Sequence, residues 1–136
     1  MTSRGAAALL FVSALACSHA PPAPEAPSVD LGERFTLHPG QFAGIAGTPA
    51  RVTFERIVSD NRCAVDVQCI TAGEARAWLR LIAEPGHMEI FMLDTDRNAT
   101  AIVAGYRISL LSVSPAPRST VRIDPKSYVI ELTVSR

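Results

Sequence analysis

The sequence has no net charge, because 13 Lys and Arg stand against 13 Asp and Glu. A basic excess would be the electrostatic footprint of a nucleic-acid binder, and an acidic one would mark a solvating tail; neither is present. Aromatic residues are few, with one Trp, two Tyr and five Phe. That excludes the stacking platform that single-stranded nucleic acid needs. The apolar run Ala6 to Leu15, broken by Ser13, falls short of the roughly 20 residues of a membrane-spanning helix. Gly-x-Ser-x-Gly, His-Glu-x-x-His and Ser-x-x-Lys are all missing, which removes the common signatures of hydrolytic centres. Gly40, Gly44 and Gly47 match no phosphate-binding loop and read as turn and bulge residues.

What is present begins with an export signal over residues 1–16. Arg4 supplies the positive region, Ala6 to Leu15 the apolar region, and Ala14-Leu15-Ala16 the small-residue cleavage site. Cys17 follows directly and resembles the acylated cysteine of a bacterial lipobox, although Ala14 stands where Leu is commonest. Ordinary signal-peptidase cleavage, leaving a free Cys17, is the alternative; the reading favours lipidation. Residues 17–30 read as a linker, since four prolines lie between Ser18 and Asp30. They favour an extended spacer reaching about 40 Å. His19 lies in this spacer and is expected to be solvated.

From Leu31 the pattern changes to short alternating runs. Phe35 and Leu37 share a face, and His38-Pro39-Gly40-Gln41 reads as a tight turn. Val52, Phe54 and Val58 are expected to face inward, with Arg56 breaking that face. Residues 74–84 fit either a strand, with Ala75, Ala77, Leu79 and Leu81 inward, or a helix, with Ala75, Trp78, Leu79 and Ile82 as its stripe. The flanking Gly73 and Pro85-Gly86 favour the strand. Met88 to Leu93 is nearly continuous apolar sequence and is expected to be buried on both sides. Tyr106, Ile108 and Leu110 form another inward face, Val121 to Ile123 an edge piece, and Tyr128, Ile130, Leu132 and Val134 the last strand. With 48% hydrophobic residues and turn signals about every 8–12 residues, residues 31–136 are expected to form one all-β domain. It would be a small antiparallel β-sandwich or barrel-like domain, placed after the signal peptide and the Pro-rich tether.

The chain has three cysteines. With Cys17 lipidated, Cys63 and Cys69 are the remaining pair, and an oxidising compartment predicts a disulfide between them. A loop this short gains only about 2–2.5 kcal/mol in the chain-entropy model, so its main effect is on loop shape. Asp60, Arg62, Asp66 and Gln68 are expected on a stiff exposed rim, with Val65 and Val67 packed beneath. Asp60, Arg62-Cys63, Val67, Cys69 and Ala72-Gly73, with the later Gly105-Tyr106, Pro115 and Tyr128, resemble a family of uncharacterised small bacterial lipoproteins. Those carry Asp-Ser-Arg-Cys-Pro, then Val-x-Cys, then Trp-Ala-Gly, and the resemblance spans most of Phe35 to Val134. This chain has Asn61 for Ser, Ala64 for Pro and Thr71 for Trp, the last removing a packing anchor beside the disulfide. The resemblance implies a fold and a location in the envelope, and no activity.

Other chemistry is weaker. Cys63 and Cys69 lack the Cys-x-x-Cys spacing of redox thiols. His38 and His87 stand in separate turns, which gives no zinc-ligand spacing. His87 with Met88 and Met92 has the soft donors of a copper site, but apolar packing explains the methionines. Asp94 to Asn98 begins like a calcium loop and then departs, with Ala99 at its sixth position and Gly105 at its twelfth. Asp60 and Asp66 are a formal carboxylate pair, with Arg62 as the simpler partner. No cofactor, metal or catalytic residue is implied. The expected function is an envelope-anchored lipoprotein that acts as a non-enzymatic binding or structural module. Its partners would be the membrane, through the N-terminal lipid, and an envelope protein. The alternative is a protease inhibitor presenting Arg62 on the braced loop, and a metal-assisted enzyme comes last.

Overall fold

The structure, a computed structural model, describes residues 27–136. The signal peptide over 1–16, the lipidation site Cys17, His19 and most of the linker lie outside the described residues. Nine strands run β1 Ser28–Val29, β2 Arg34–Leu37, β3 Phe42–Ile45, β4 Arg51–Asp60, β5 Ala75–Glu84, β6 His87–Asp94, β7 Thr100–Val103, β8 Tyr106–Ser114 and β9 Val129–Ser135. They form two sheets, ordered β1-β3-β4-β5-β6 and β2-β9-β8-β7, antiparallel throughout except for β1 beside β3. The all-β expectation holds, and the two sheets pack as a sandwich. Ser28 and Val29 belong to the first sheet and Val29 is buried, so the ordered fold takes in residues that the sequence reading placed in the linker.

Alternation explains most of the core. Val52, Phe54, Ala77, Leu79, Leu81 and Leu93 point inward from one sheet, and Ile108, Leu110, Ile130, Leu132 and Val134 from the other. Side chains alternate across a strand, so each polar neighbour of these residues falls on the outer face. Ala75–Glu84 is strand, as the flanking turn residues indicated. Gln41 N–H closes the Pro39-Gly40 turn onto His38 C=O at 2.9 Å, with Gly40 at φ +82°. That positive angle at the third position of a turn is the reason for glycine there.

Three expectations about faces need correction. In β4 the register slips between Phe54 and Arg56 and again between Ile57 and Ser59. A β-bulge puts two residues opposite one and flips the face that follows. Ile57 therefore packs on the core and Val58 is exposed. Strand β6 is not buried on both sides, because a two-layer sandwich covers only the inner face of each sheet. Met88, Ile90 and Met92 are 53%, 55% and 54% exposed on its outer face, while Leu93 is fully buried. Residues 121–123 make no strand. Val121 forms only an isolated bridge to Arg118, and Ile123 packs against the core.

The β4–β5 loop, the β6–β7 turn and the β8–β9 loop lie together at one end of the sandwich. Asp60 pairs with Ala75, Arg76 with Asp94, and Ser114 with Val129. The chain enters at the other end, where Pro27 C=O accepts from Gly44 N–H and Gly44 pairs with Arg51, the first residue of β4. The ten residues of β4 separate the two ends by about 30 Å at the usual strand rise.

Candidate functional site

The β4–β5 loop is built as a continuation of the strand pair it joins. Asn61 N–H donates to Glu74 C=O at 2.8 Å, and Cys63 N–H to Ala72 C=O at 2.7 Å. Gly73 sits inside this narrowing ladder at φ +67°, and a Cβ there would lie 1.8 Å from the Asn61 carbonyl oxygen. Only glycine satisfies both the angle and the space. Beyond the ladder the chain turns over, and Cys63 and Cys69 are joined by a disulfide with Cα atoms 5.9 Å apart.

The base of the loop is held by Asp60 and Arg62. Arg62 Nε donates to Asp60 Oδ1 at 2.8 Å and its Nη2 to Oδ2 at 2.7 Å, forming a two-pronged ion pair. The same guanidinium donates through Nη1 to Val113 C=O at 2.5 Å and through Nη2 to Pro115 C=O at 2.8 Å. Tyr128 Oη donates to Asp60 Oδ2 at 3.0 Å. The two charged side chains are only 15% and 10% exposed. Burial alone would raise the Asp60 carboxyl, but the hydrogen bonds from Arg62 and Tyr128 outweigh it and hold the carboxyl below its ordinary value. Burial pushes the Tyr128 phenol up to about 12, with its bond to the Asp60 carboxylate adding to the shift.

Two further ties fasten the crown of the loop to residues 115–121. Val65 N–H donates to Pro117 C=O at 3.0 Å. Asp66 accepts from Ser119 N–H at 2.9 Å and from Ser119 Oγ at 2.7 Å, and those bonds hold its carboxyl below the ordinary value. The disulfide loop and the β8–β9 loop thus form one braced unit.

This arrangement changes the expected rim. Asp60 and Arg62 lie inside the brace, engaged with partners 51 to 68 positions away in the chain. Asp66 is exposed and its carboxylate holds Ser119, while Gln68 is exposed. Val65 and Val67 do not pack beneath the loop. They stand exposed at its tip with Ile70, whose side chain is fully in solvent. The disulfide and the two loop ties use the inward side of this short segment, which leaves its aliphatic side chains facing out. Asp60 and Asp66 do not act as a carboxylate pair, because each serves a different partner. Arg62 does not project as a primary-specificity residue would, because Nε, Nη1 and Nη2 all donate to internal acceptors.

Beside the braced unit, a polar groove of about 630 Å³ runs between Asn61, Thr71, Glu74, Arg76, Asp96 and Arg97. Arg76 pairs with Glu74 across its mouth. Asp94 beneath it accepts from the N–H groups of Asp96, Arg97 and Asn98 at 2.7 to 3.0 Å. The Asn98 bond leads the set that lowers its pKa, against burial. Asp94 therefore organises the turn that the calcium-like spacing occupies. His87 binds Glu89 at 2.9 Å at the opposite end of the sandwich. His, Cys, Asp and Glu side chains do not gather in threes among the described residues.

Sequence reasoning missed Tyr128 and Ser119 as parts of this site. The signal was the polar tip on Tyr128 immediately before β9, whose inward residues are aliphatic, since a buried phenol needs a partner. No family model, curated protein or solved structure matches the chain.

Proposed function

We propose that this protein is an exported bacterial lipoprotein, acylated at Cys17, whose β-sandwich is a non-enzymatic binding module for an envelope protein. The contact surface is the tip of the disulfide loop, carried by Val65, Val67, Gln68 and Ile70. One observation carries the reading. Three exposed aliphatic side chains stand on a loop that is fastened by a disulfide, an ion pair and two ties to its neighbour. Exposed apolar side chains stabilise nothing in the free molecule, whereas a pre-ordered loop lowers the entropy lost on binding. The resemblance to small lipoproteins and the signal over 1–16 supply the location. The loop lies at the end of the sandwich opposite the point where the described chain enters.

Replacing Val67 and Ile70 by Asp tests this proposal. Ile70 is fully in solvent and Val67 is 49% exposed outside the core cluster, so the fold should be kept with little change in melting temperature. Adducts formed with an envelope protein by chemical crosslinking in native membranes should disappear. Unchanged adducts in the folded double variant would reject the tip as the contact surface. The inhibitor reading has no support from Arg62, whose guanidinium is held internally.

A further inference from the structure

Four strands end the two sheets: β1, β6, β2 and β7. Sheet edges are templates for pairing, and short edges are the usual protection. β1 has two residues, and β2 and β7 have four each. β6 has eight, His87–Asp94, with no Pro, no Lys and no bulge from Met88 onward. Its free side can be read from its bonded side. Thr95 N–H reaches Ala75 C=O at 3.0 Å, in step with the β5–β6 register, while Asp94 N–H turns the other way to Asn98 C=O. Hydrogen-bonding direction alternates along an antiparallel strand. Met88, Ile90 and Met92 therefore aim their N–H and C=O groups away from β5, towards the open edge. The same three residues expose their side chains on the outer face beside Trp78, which carries Arg56 stacked at 4.4 Å from its ring centre.

We propose that β6 is a self-association edge, on which a second copy of this chain pairs β6 to β6 antiparallel, with Ile90 facing Ile90 on the two-fold axis. In that register Met88 lies opposite Met92 of the second copy, so three apolar pairs continue the outer face across the junction. Ile90 and the two methionines carry the edge-directed N–H groups, so all three positions form hydrogen-bonded pairs. Glu89 falls opposite Phe91. A shift of two positions would set Glu89 against Glu89 and is disfavoured, since like charges directly opposite destabilise a sheet. The chain enters at β1, four strand spacings or roughly 19 Å across the sheet from this edge. Joining two five-stranded sheets gives one ten-stranded sheet, whose two chains enter at opposite ends.

Sedimentation equilibrium of the purified full chain in density-matched detergent tests the proposal. A monomer–dimer equilibrium is expected for the native chain. Ile90→Lys, at an exposed position, should give monomer at every concentration with an unchanged circular dichroism spectrum. Ile90→Pro removes an edge-directed N–H together with the aliphatic side chain and should do the same. If either variant fails to fold, Ile90→Cys should form a disulfide-independent dimer with a short bismaleimide, while Glu55→Cys on the same face should not. A native chain that is monomeric throughout overturns the proposal. So does a dimer that persists in folded Ile90→Lys, or equal crosslinking at residues 55 and 90.

Discussion

The Asp60 carboxylate accepts from the backbone N–H and the guanidinium of Arg62 and from the Tyr128 phenol. Removing Arg62 leaves that charge half-desolvated and two carbonyls without their donor. Arg62→Ala should therefore destabilise the domain by about 2–3 kcal/mol, measured by urea unfolding, with the loss concentrated at the disulfide loop. Tyr128→Phe removes one hydrogen bond to a charged acceptor and should cost about 1–2 kcal/mol. The pH dependence follows from the two shifts. The folded Asp60 pKa is lowered, so its contribution is present above the ordinary carboxylate value and is lost as pH falls through the folded one. The Tyr128 pKa is raised from 10.0 to about 12, so its contribution is complete below pH 10 and is lost as pH rises through about 12. Stability measured against pH should fall at both extremes, and Tyr128→Phe should remove the alkaline fall and reduce the acid one. At this scale the sequence was least legible. Asp60 and Arg62 stand two positions apart and read as a simple surface pair. What buries them is a tyrosine 68 positions away and carbonyls 51 and 53 away, which no local pattern reveals.

Strand identity was legible wherever apolar residues alternate strictly. β9 shows it best, whereas β5 also carries a helical stripe through Ala75, Trp78, Leu79 and Ile82, and only its flanking turn residues favoured the strand. Strand position was not legible. Met88, Ile90, Phe91, Met92 and Leu93 read as a doubly buried run, yet burial of the outer face depends on whether a further layer packs over the sheet, and Met88, Ile90 and Met92 are exposed. Val58 failed for a different reason, because a bulge shifts the face without changing the composition. Gly73 is the position where an element depends on one residue. Gly73→Ala would force Cβ into the Asn61 carbonyl at 1.8 Å and strain a positive φ. Because the obstruction is backbone, the loop ladder must open, and a loss of about 2 kcal/mol or more is expected. Amide hydrogen exchange at Asn61 and Cys63 should rise sharply in that variant while β9 stays protected.

The molecule as a whole has two ends. The chain enters beside Arg51, and the braced loops stand at the other end, about 30 Å along β4. The disulfide between Cys63 and Cys69 contributes about 2–2.5 kcal/mol in the chain-entropy model, while the brace across to residues 113–119 sets where the loop points. Under the proposed anchoring, Cys17→Ser should move the chain from the membrane to the soluble fraction and remove acyl mass from the purified protein, without altering the unfolding transition. The central claim concerns the loop tip, and a photocrosslinking amino acid placed at Ile70 in intact envelopes tests it most directly. The expected result is a discrete adduct with an envelope protein from Ile70, and none from Ile102, which is 67% exposed on the opposite sheet. Equal labelling at both positions, or no adduct at Ile70 in a folded and anchored chain, would contradict it.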